Sequence, residues 1–392
     1  LFGTVAPVSL VSNLFSAPLC GLILVSGYPA MLLAAAGLPT LGAGIVARTG
    51  CRWLITLAET VPGSVQQVPE PSPWLAAGLL TAIPLLAGTG GGRLRPFLVL
   101  SLALALTCLH LGRVPGSAGR GALETTLPDV GQGQAVLLRS GLSAVLVDAG
   151  GSRSPTFDVG ARVLAPRLAA MGIHRLDVLA VSHEHLDHAG GAAAILRRFE
   201  VGRLWIVPGT LNRKAIRLLA ELAWERHVPV VLAGRGVSVG GDGWRLHSLH
   251  PGEKDRRLAV NDRSLVLRFR GPSGTVLLPG DLERDGEEAL LQADGIAELL
   301  DADLLIAGHH GAAGGSTTAF LAAVSPAAVL VSAGRGNRYG HPDPGTVQRY
   351  RDAGALVRST HRWGELTWRH EGSRWSVRGY TVPEPGGTPE GK

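Results

Sequence analysis

The sequence predicts an α/β domain carried behind a set of transmembrane α-helices. Three observations point there. The first part of the chain holds long uncharged apolar runs. The second part alternates short β-branched or Leu-rich runs with helical stretches. Four of those short runs end in His or Asp. A length of 392 residues allows two domains. The formal net charge is +6, a balance that suits polyanions or anionic lipid surfaces. The marked preference for Arg over Lys weakens that inference, because it is a compositional habit of the whole chain. The chain opens on Leu1, as expected of a piece of a longer protein. Cys20, Cys51 and Cys108 all fall in the apolar part, so the second part is expected to have neither a disulfide nor a Cys metal ligand.

A bilayer core takes about 20 mostly apolar residues per helix. Residues 14–36 form such a run, free of charge. Residues 38–57 are interrupted by Arg48 and Arg52 and read as an interfacial helix or a short further span. Residues 74–87 end at the glycine cluster 88–92, and 97–111 are apolar apart from small hydroxyls, Cys108 and His110. Three separated runs do not fit a single cleaved signal. Arg48 and Arg52 at one end and Arg93 and Arg95 at the other leave the positive-inside rule tied. Residues 1–115 are therefore read as a transmembrane helical region.

The Gly-rich stretch 116–122 reads as a linker, 123–381 as the α/β domain and the Pro/Gly-rich 382–392 as a disordered tail. Strands are predicted at 135–139, 144–148, 177–182, 203–207, 228–232, 264–270, 275–279, 303–307 and 327–332. Helices are predicted at 159–171, 189–198, 213–226, 286–293, 317–324 and 345–353. Many of the strands are apolar throughout, the pattern of a sheet covered by helices.

The strand ends carry the chemistry. Residues 176–182 run into His183-Glu184-His185-Leu186-Asp187-His188; 275–280 end at Asp281; 303–308 end at His309-His310; 329–332 lead through Gly334 and Gly336 to His341. Loops at strand ends on a rigid sheet are where α/β proteins place their sites. Spaced by two in an extended loop, His183 and His185 can face the same way and serve one cation. Asp187 and His188 then offer a carboxylate and an imidazole to a second, and Asp281 can bridge. Two cations about 3.5–4 Å apart stabilise the attacking and the leaving oxygens of a displacement. Nitrogen and oxygen donors suit Zn or Mn and do not choose between them.

The pattern H-x-H-x-D-H at 183–188 resembles the signature of the metallo-β-lactamase superfamily. The likeness extends to Asp129-Val130-Gly131-Gln132-Gly133-Gln134, Leu146-Val147-Asp148-Ala149-Gly150, Asn261-Asp262-Arg263-Ser264, Pro279-Gly280-Asp281, His309-His310-Gly311 and Tyr339-Gly340-His341-Pro342. Together these resemble the hydrolase domain of the ComEC family of competence DNA-uptake channel proteins, and Ser12-Asn13-Leu14 through Pro18-Leu19 resembles the membrane region that precedes it. The resemblance implies a metallo-β-lactamase αββα sandwich behind transmembrane helices. It implies two divalent metal ions, with His183 and His185 on one, Asp187 and His188 on the other, and Asp281 between them. The remaining imidazoles come from His309 or His341, an order left open. Asp187 and His310 are the candidate catalytic side chains, His310 as a substrate-facing or supporting group. Where superfamily members place a further His before the strand leading to the bridging Asp, this chain has Asn261-Asp262, so the first metal is expected to lack a ligand or take a carboxylate there. Asp148 is expected to support the metal loop.

The implied role is DNA uptake in natural transformation, with the hydrolase degrading the strand that is not transported. The implied partners are DNA, membrane lipid and other competence-machinery proteins. The implied place is the cell membrane, multi-pass, with the hydrolase domain outside the cytoplasm. Alternatives are hydrolysis of another phosphodiester, or a non-catalytic DNA-binding or gating domain. Arg335, Arg338, Arg349, Arg351, Arg358 and Arg362, near or after the last predicted strand, are expected either to hold phosphates or to form a solvated face. His250 reads as structural, and His174, His227, His361 and His370 as surface residues.

Overall fold

The computed structural model describes residues 7–60, the short strands Thr4–Val5 and Gln66–Gln67, and 121–380 apart from Pro155. The predicted runs 74–87 and 97–111, linker residues 116–120 and the tail 382–392 lie outside the described residues. The chain divides into two compact units, Leu1–Gly90 and Gly91–Lys392.

In the first unit, helix α1 (Pro7–Ala35) is joined by a turn to α2 (Leu41–Thr60). The two pack closely where glycine removes a side chain: a Cβ on Gly50 would fall 2.7 Å from Cγ1 of Ile23. Leu24, Val25, Met31 and Leu32 are exposed. The 18-residue segment Pro18–Ala35 is, among the described residues, the one helical stretch long and apolar enough to cross a membrane. Helix α2 carries Arg48 and Arg52, the interruption that separates it from α1 in character.

The second unit holds fifteen strands that build two large sheets: β1 (Ala122–Leu127), β2 (Val136–Ser140), β3 (Ser143–Val147), β4 (Val178–Ala180), β5 (Leu204–Ile206), β6 (Val230–Leu232), β7 (Ser238–Gly241), β8 (Trp244–His250), β9 (Val266–Arg270), β10 (Thr275–Leu278), β11 (Leu304–Ile306), β12 (Ala328–Val331), β13 (Leu356–Ser359), β14 (Glu365–Glu371) and β15 (Arg374–Tyr380). The first sheet runs β6-β5-β4-β3-β2-β1-β14-β15 and the second β7-β8-β9-β10-β11-β12-β13. Each has a parallel half, β3 to β6 in one and β10 to β13 in the other, and an antiparallel half. Strand β1 begins at Ala122, inside the predicted linker.

Period-two alternation builds the layers. Val136 and Leu138 of β2 point into a core shared by both sheets, where they meet Trp205, Phe269, Leu304 and Trp368. Leu137 points the other way, to a cluster with Leu164, Leu168, Ile195 and Leu219 from covering helices. On the second sheet Leu277, Leu305 and Val329 face outward onto Leu290, Phe320 and Tyr350. Those outer helices are α3 (Ala165–Ala170, led in by a π-wound turn Gly160–Leu164), α4 (Ala192–Arg198) and α5 (Lys214–Glu225) on the first sheet. On the second they are α6 (Arg284–Leu291), α7 (Thr318–Val324) and α8 (Pro344–Asp352). The result is the expected αββα sandwich, with β4, β5, β11 and β12, the inner strands of the parallel halves, buried on both faces. His250 and His370 are both buried; for His370 this corrects the surface reading, since it lies on β14 beside Trp368.

Candidate metal centre

The loop after β4 is held from behind by two neighbouring segments. The Gln134 N–H donates to the carbonyl of Asp187 at 3.0 Å and the Ala149 N–H to that of His188 at 2.8 Å. Both segments must come very close. A Cβ on Gly151 would lie 1.8 Å from the carbonyl oxygen of Leu186, and one on Gly133 would lie 2.7 Å from that of Asp187. This is why Gly-rich motifs surround the His/Asp loop in the sequence: they are its floor.

Asp148, at the end of β3, occupies the left-handed region with φ 61° and is fully buried. It accepts from the Ser182 N–H (2.7 Å), the Ser182 hydroxyl (2.9 Å) and Gln134 Nε2 (3.1 Å). Its Oδ2 lies 2.8 Å from Nδ1 of His188. That contact orients the ring and leaves Nε2 directed at Asp281, 3.0 Å from its Oδ1. The other oxygen of Asp281 lies 3.6 Å from His183 Nε2 and 3.8 Å from His309 Nε2. His183 Nε2 is in turn 3.0 Å from His185 Nδ1. Asp187 Oδ2 is 3.5 Å from His310 Nε2.

Two sets of donor atoms therefore converge: His183, His188 and Asp281, and Asp187, His188 and His310, each with its ligand atoms within 4.8 Å of one another. The fit to cations shows in what these atoms lack. The buried His188 Nε2 and Asp281 Oδ1 meet only each other, and the buried His310 Nε2 meets only Asp187, none in well-formed hydrogen-bond geometry, an arrangement costly for polar atoms unless an ion takes their lone pairs.

The electrostatics agree. Burial, aided by His188, pushes the His183 imidazole down to about 3, which keeps it in the neutral form that binds metal. Burial would lower His188 as well, but the Asp281 and Asp148 carboxylates outweigh it and raise His188 well above its ordinary value. Burial would raise Asp281, and His188, His183 and His310 instead hold it well below the carboxylate range. Burial likewise opposes ionisation of Asp187, yet the hydrogen bond from His310 and the charge of His188 bring it to about 2. The carboxylates demand positive charge between them, from protons or from cations.

The structure orders the imidazoles that the sequence left open. His309 and His310 are consecutive residues in the left-handed region, φ 45° and 56°, a conformation uncommon outside glycine and held here by the loop after β11. It lets both neighbours line one cavity. His310, expected to face substrate, instead joins Asp187 and His188 in a donor set. His341 joins neither set; its ring stands 5.6 Å from that of His309 and 6.3 Å from that of His310, stacked on Tyr339. Asp262 gives no carboxylate to the first set, because its Oδ1 accepts from the Glu283 and Gly286 N–H groups at the start of α6. His309 is a third imidazole that approaches Asp281, at 3.8 Å. Its Nδ1 lies 2.6 Å from Glu283 Oε1, a partner two residues beyond Asp281 that motif reading missed.

His185, Asp187, Asp281, His309, His310 and His341 line a cavity of about 610 Å³, with His183 and His188 buried behind them. Arg153, Phe157, Arg338 and Tyr339 also line it, and of these only Arg338 and Tyr339 drew attention in the sequence. Arg349, one of the six arginines read as phosphate holders, is spent internally on the carbonyls of Ser316 (3.0 Å) and Gly315 (2.9 Å).

Residues 128–252 match the metallo-beta-lactamase superfamily and residues 1–90 match the family Competence protein. ComE operon protein 3 of Bacillus subtilis (strain 168) is 30% identical over 260 residues, 63% of this chain and 33% of that protein. Competence protein ComA of Neisseria gonorrhoeae is 31% identical over 315 residues, 80% of this chain and 41% of that protein. Among solved structures, the metallo-beta-lactamase fold protein YhfI of Bacillus subtilis has a TM-score of 0.38 and 14% identity, covering 60% of this chain and 96% of that one. The fold and the superfamily match define a metallo-β-lactamase domain of hydrolase type with metal-binding residues. With the competence match ahead of it and its two competence relatives, the chain is similar to the ComEC family in the order of its two parts. It spans well under half the length of either relative, 33% and 41%.

Proposed function

We propose that this chain is the C-terminal part of a membrane DNA-uptake protein whose second unit is a two-metal phosphodiesterase that degrades the strand not transported. The observation that carries this reading is the pair of donor sets joined at His188, with Asp281 between them, opening through Asp187, Asp281 and His310 onto a cavity that arginines also line. His183, His185 and His309 would hold one cation and Asp187, His188 and His310 the other, with Asp281 shared. Zn or Mn, when bound, would polarise a phosphoryl oxygen and lower the pKa of water to the neutral range. Asp148 fixes the His188 ring, Glu283 fixes that of His309, and Arg153 and Arg338 hold the phosphates of the strand at the cavity. His310, once assigned to a cation, leaves no imidazole role in proton transfer for itself. The apolar Pro18–Ala35 segment and the competence match support a place in the cell membrane; the proposal takes that place to be multi-pass, with the hydrolase outside the cytoplasm. Membrane lipid and other competence proteins are then its partners besides DNA.

The test is hydrolysis of single-stranded DNA by the chain in detergent, with added Zn or Mn and metal counted by elemental analysis. The expected result is roughly two metals per chain, cleavage of the DNA, and loss of cleavage in Asp281→Asn and His188→Ala. Undiminished cleavage in both variants overturns the reading. A metal-free chain that binds DNA without cutting it would instead be a binding or gating domain.

A further inference from the structure

A second cavity of about 380 Å³ lies between α8, β13 and the helical turn Thr360–Trp363. Arg351, Arg358, Arg362, His361 and Trp363 line it, and so does His341, which also lines the metal cavity. The two cavities therefore adjoin at His341. No Asp or Glu lines the second one. Among the described residues, no carboxylate comes within ion-pair distance of Arg351, Arg358 or Arg362. Arg349, on the same helix as Arg351, is instead consumed by three backbone carbonyls and Thr346. Arg358 lies 5.1 Å over the Trp363 ring, which stiffens its side chain beside an aromatic face. The local field is positive enough to act on a neighbour: burial, then Arg362 and Arg335, lower the His361 imidazole.

We propose that this pocket is a phosphate subsite for the backbone of a single nucleic-acid strand whose neighbouring phosphate lies at the metal centre. Guanidinium groups meet phosphate oxygens in bidentate fashion, which lysines cannot do, and arginines without a carboxylate partner around one cavity form such a site, even with one Arg358 N–H spent on the Val357 carbonyl. Continuity through His341 favours a polymer over a free anion, since a strand crossing from one cavity to the other meets both. The subsite rests on the phosphodiesterase reading for the identity of its ligand.

The test compares the chain with its Arg351→Ala/Arg362→Ala double variant; both side chains are exposed, so the fold is expected to survive. Two substrates are used, a thymidine oligonucleotide and the small diester bis(p-nitrophenyl) phosphate, and oligonucleotide binding is measured in chelator across a salt series. The expected result is an oligonucleotide KM raised about tenfold, with small-diester hydrolysis unchanged. The slope of log Kd against log salt should fall by about 0.7 for each phosphate contact removed. Wild-type KM and salt slope in the double variant overturn the subsite. So does a variant that loses inhibition by thymidine monophosphate or inorganic phosphate while keeping its oligonucleotide affinity, because the pocket then serves a free anion. Failure of the wild type to cut either substrate removes the phosphodiesterase reading, and the salt slopes still decide whether the pocket holds a strand.

Discussion

The two sheets supply the two halves of the metal centre in different ways. The first sheet delivers its donors from one stretch, His183 to His188, at the end of β4. The second delivers Asp281 from the end of β10 and His309 and His310 from the end of β11. Both halves obey the same rule, with donors at the C-terminal ends of parallel strands. They differ in what holds them. The first half is clamped through its backbone by Gln134 and Ala149 and through His188 by a buried carboxylate. The second stands on two consecutive left-handed residues, and His309 leans on Glu283, a half-exposed carboxylate. A rigid half and a strained half can meet at one centre because Asp281 touches both.

The largest effect is expected where the donor sets overlap. His188→Ala removes the one residue common to both clusters, a ligand of the second cation and the ring 3.0 Å from the shared Asp281, so at least one metal should be lost and the proposed DNA cleavage should fall to background. Retention of both metals in that variant, measured by elemental analysis, would break the picture of two sets joined at His188.

The next effects separate the halves. Asp148→Asn keeps the shape but weakens the acceptor behind His188, and loss of such a partner typically costs about 10–100-fold in metal affinity. Competition with a chelator should place Asp148→Asn near the upper end, because the group is fully buried and also accepts from Ser182 and Gln134. Glu283→Gln, the matching change in the second half, should fall near or below the lower end, about tenfold, because Glu283 is partly solvated and water can replace it at His309 Nδ1. Equal losses in the two variants would mean that the halves are held with the same stiffness.

The same contrast explains what the sequence made legible. The first half is a local pattern, four donors in six residues after an apolar strand, and both it and its Gly-rich floor could be read directly. The inner strands of the parallel halves are apolar on both faces and were also read, as were the helices covering them. Strands β1, β7, β8, β13, β14 and β15 were not. They carry polar groups such as Glu124, Arg245, Arg358 and Arg369 at alternate positions, and they pair largely at antiparallel ends or edges of the sheets. In β14 the alternation is plain once seen, with Leu366, Trp368 and His370 inward. The ranking of His309, His310 and His341 was illegible for a different reason. It depends on the φ angles of His309 and His310, which no residue type announced, since non-glycine residues seldom adopt them. The Asn261-Asp262 pair was read as a missing ligand. The structure shows Asp262 spent on backbone N–H groups at the start of α6, with His309 standing 3.8 Å from Asp281.

The smallest effect sharpens that ranking. His341 lies in the cavity but in neither donor set. Its backbone is fastened by Asn337, which accepts from the His341 N–H at 3.0 Å and donates to its carbonyl at 2.6 Å, so the loop position does not depend on the imidazole. The ring itself stacks on Tyr339 with centroids 5.7 Å apart. His341→Ala should therefore leave metal content unchanged and lower small-diester hydrolysis by less than about threefold, below the 10–100-fold range of a ligand's own hydrogen-bond partner. His310→Ala should lose one of the two metals. The pair of variants is decisive because both residues are imidazoles of the same cavity, on loops from neighbouring strands of one sheet. If His341→Ala sheds a metal and His310→Ala does not, the strained loop after β11 is not what completes the centre. The second half would then be closed by the loop after β12, whose His341 would have to move onto the metal.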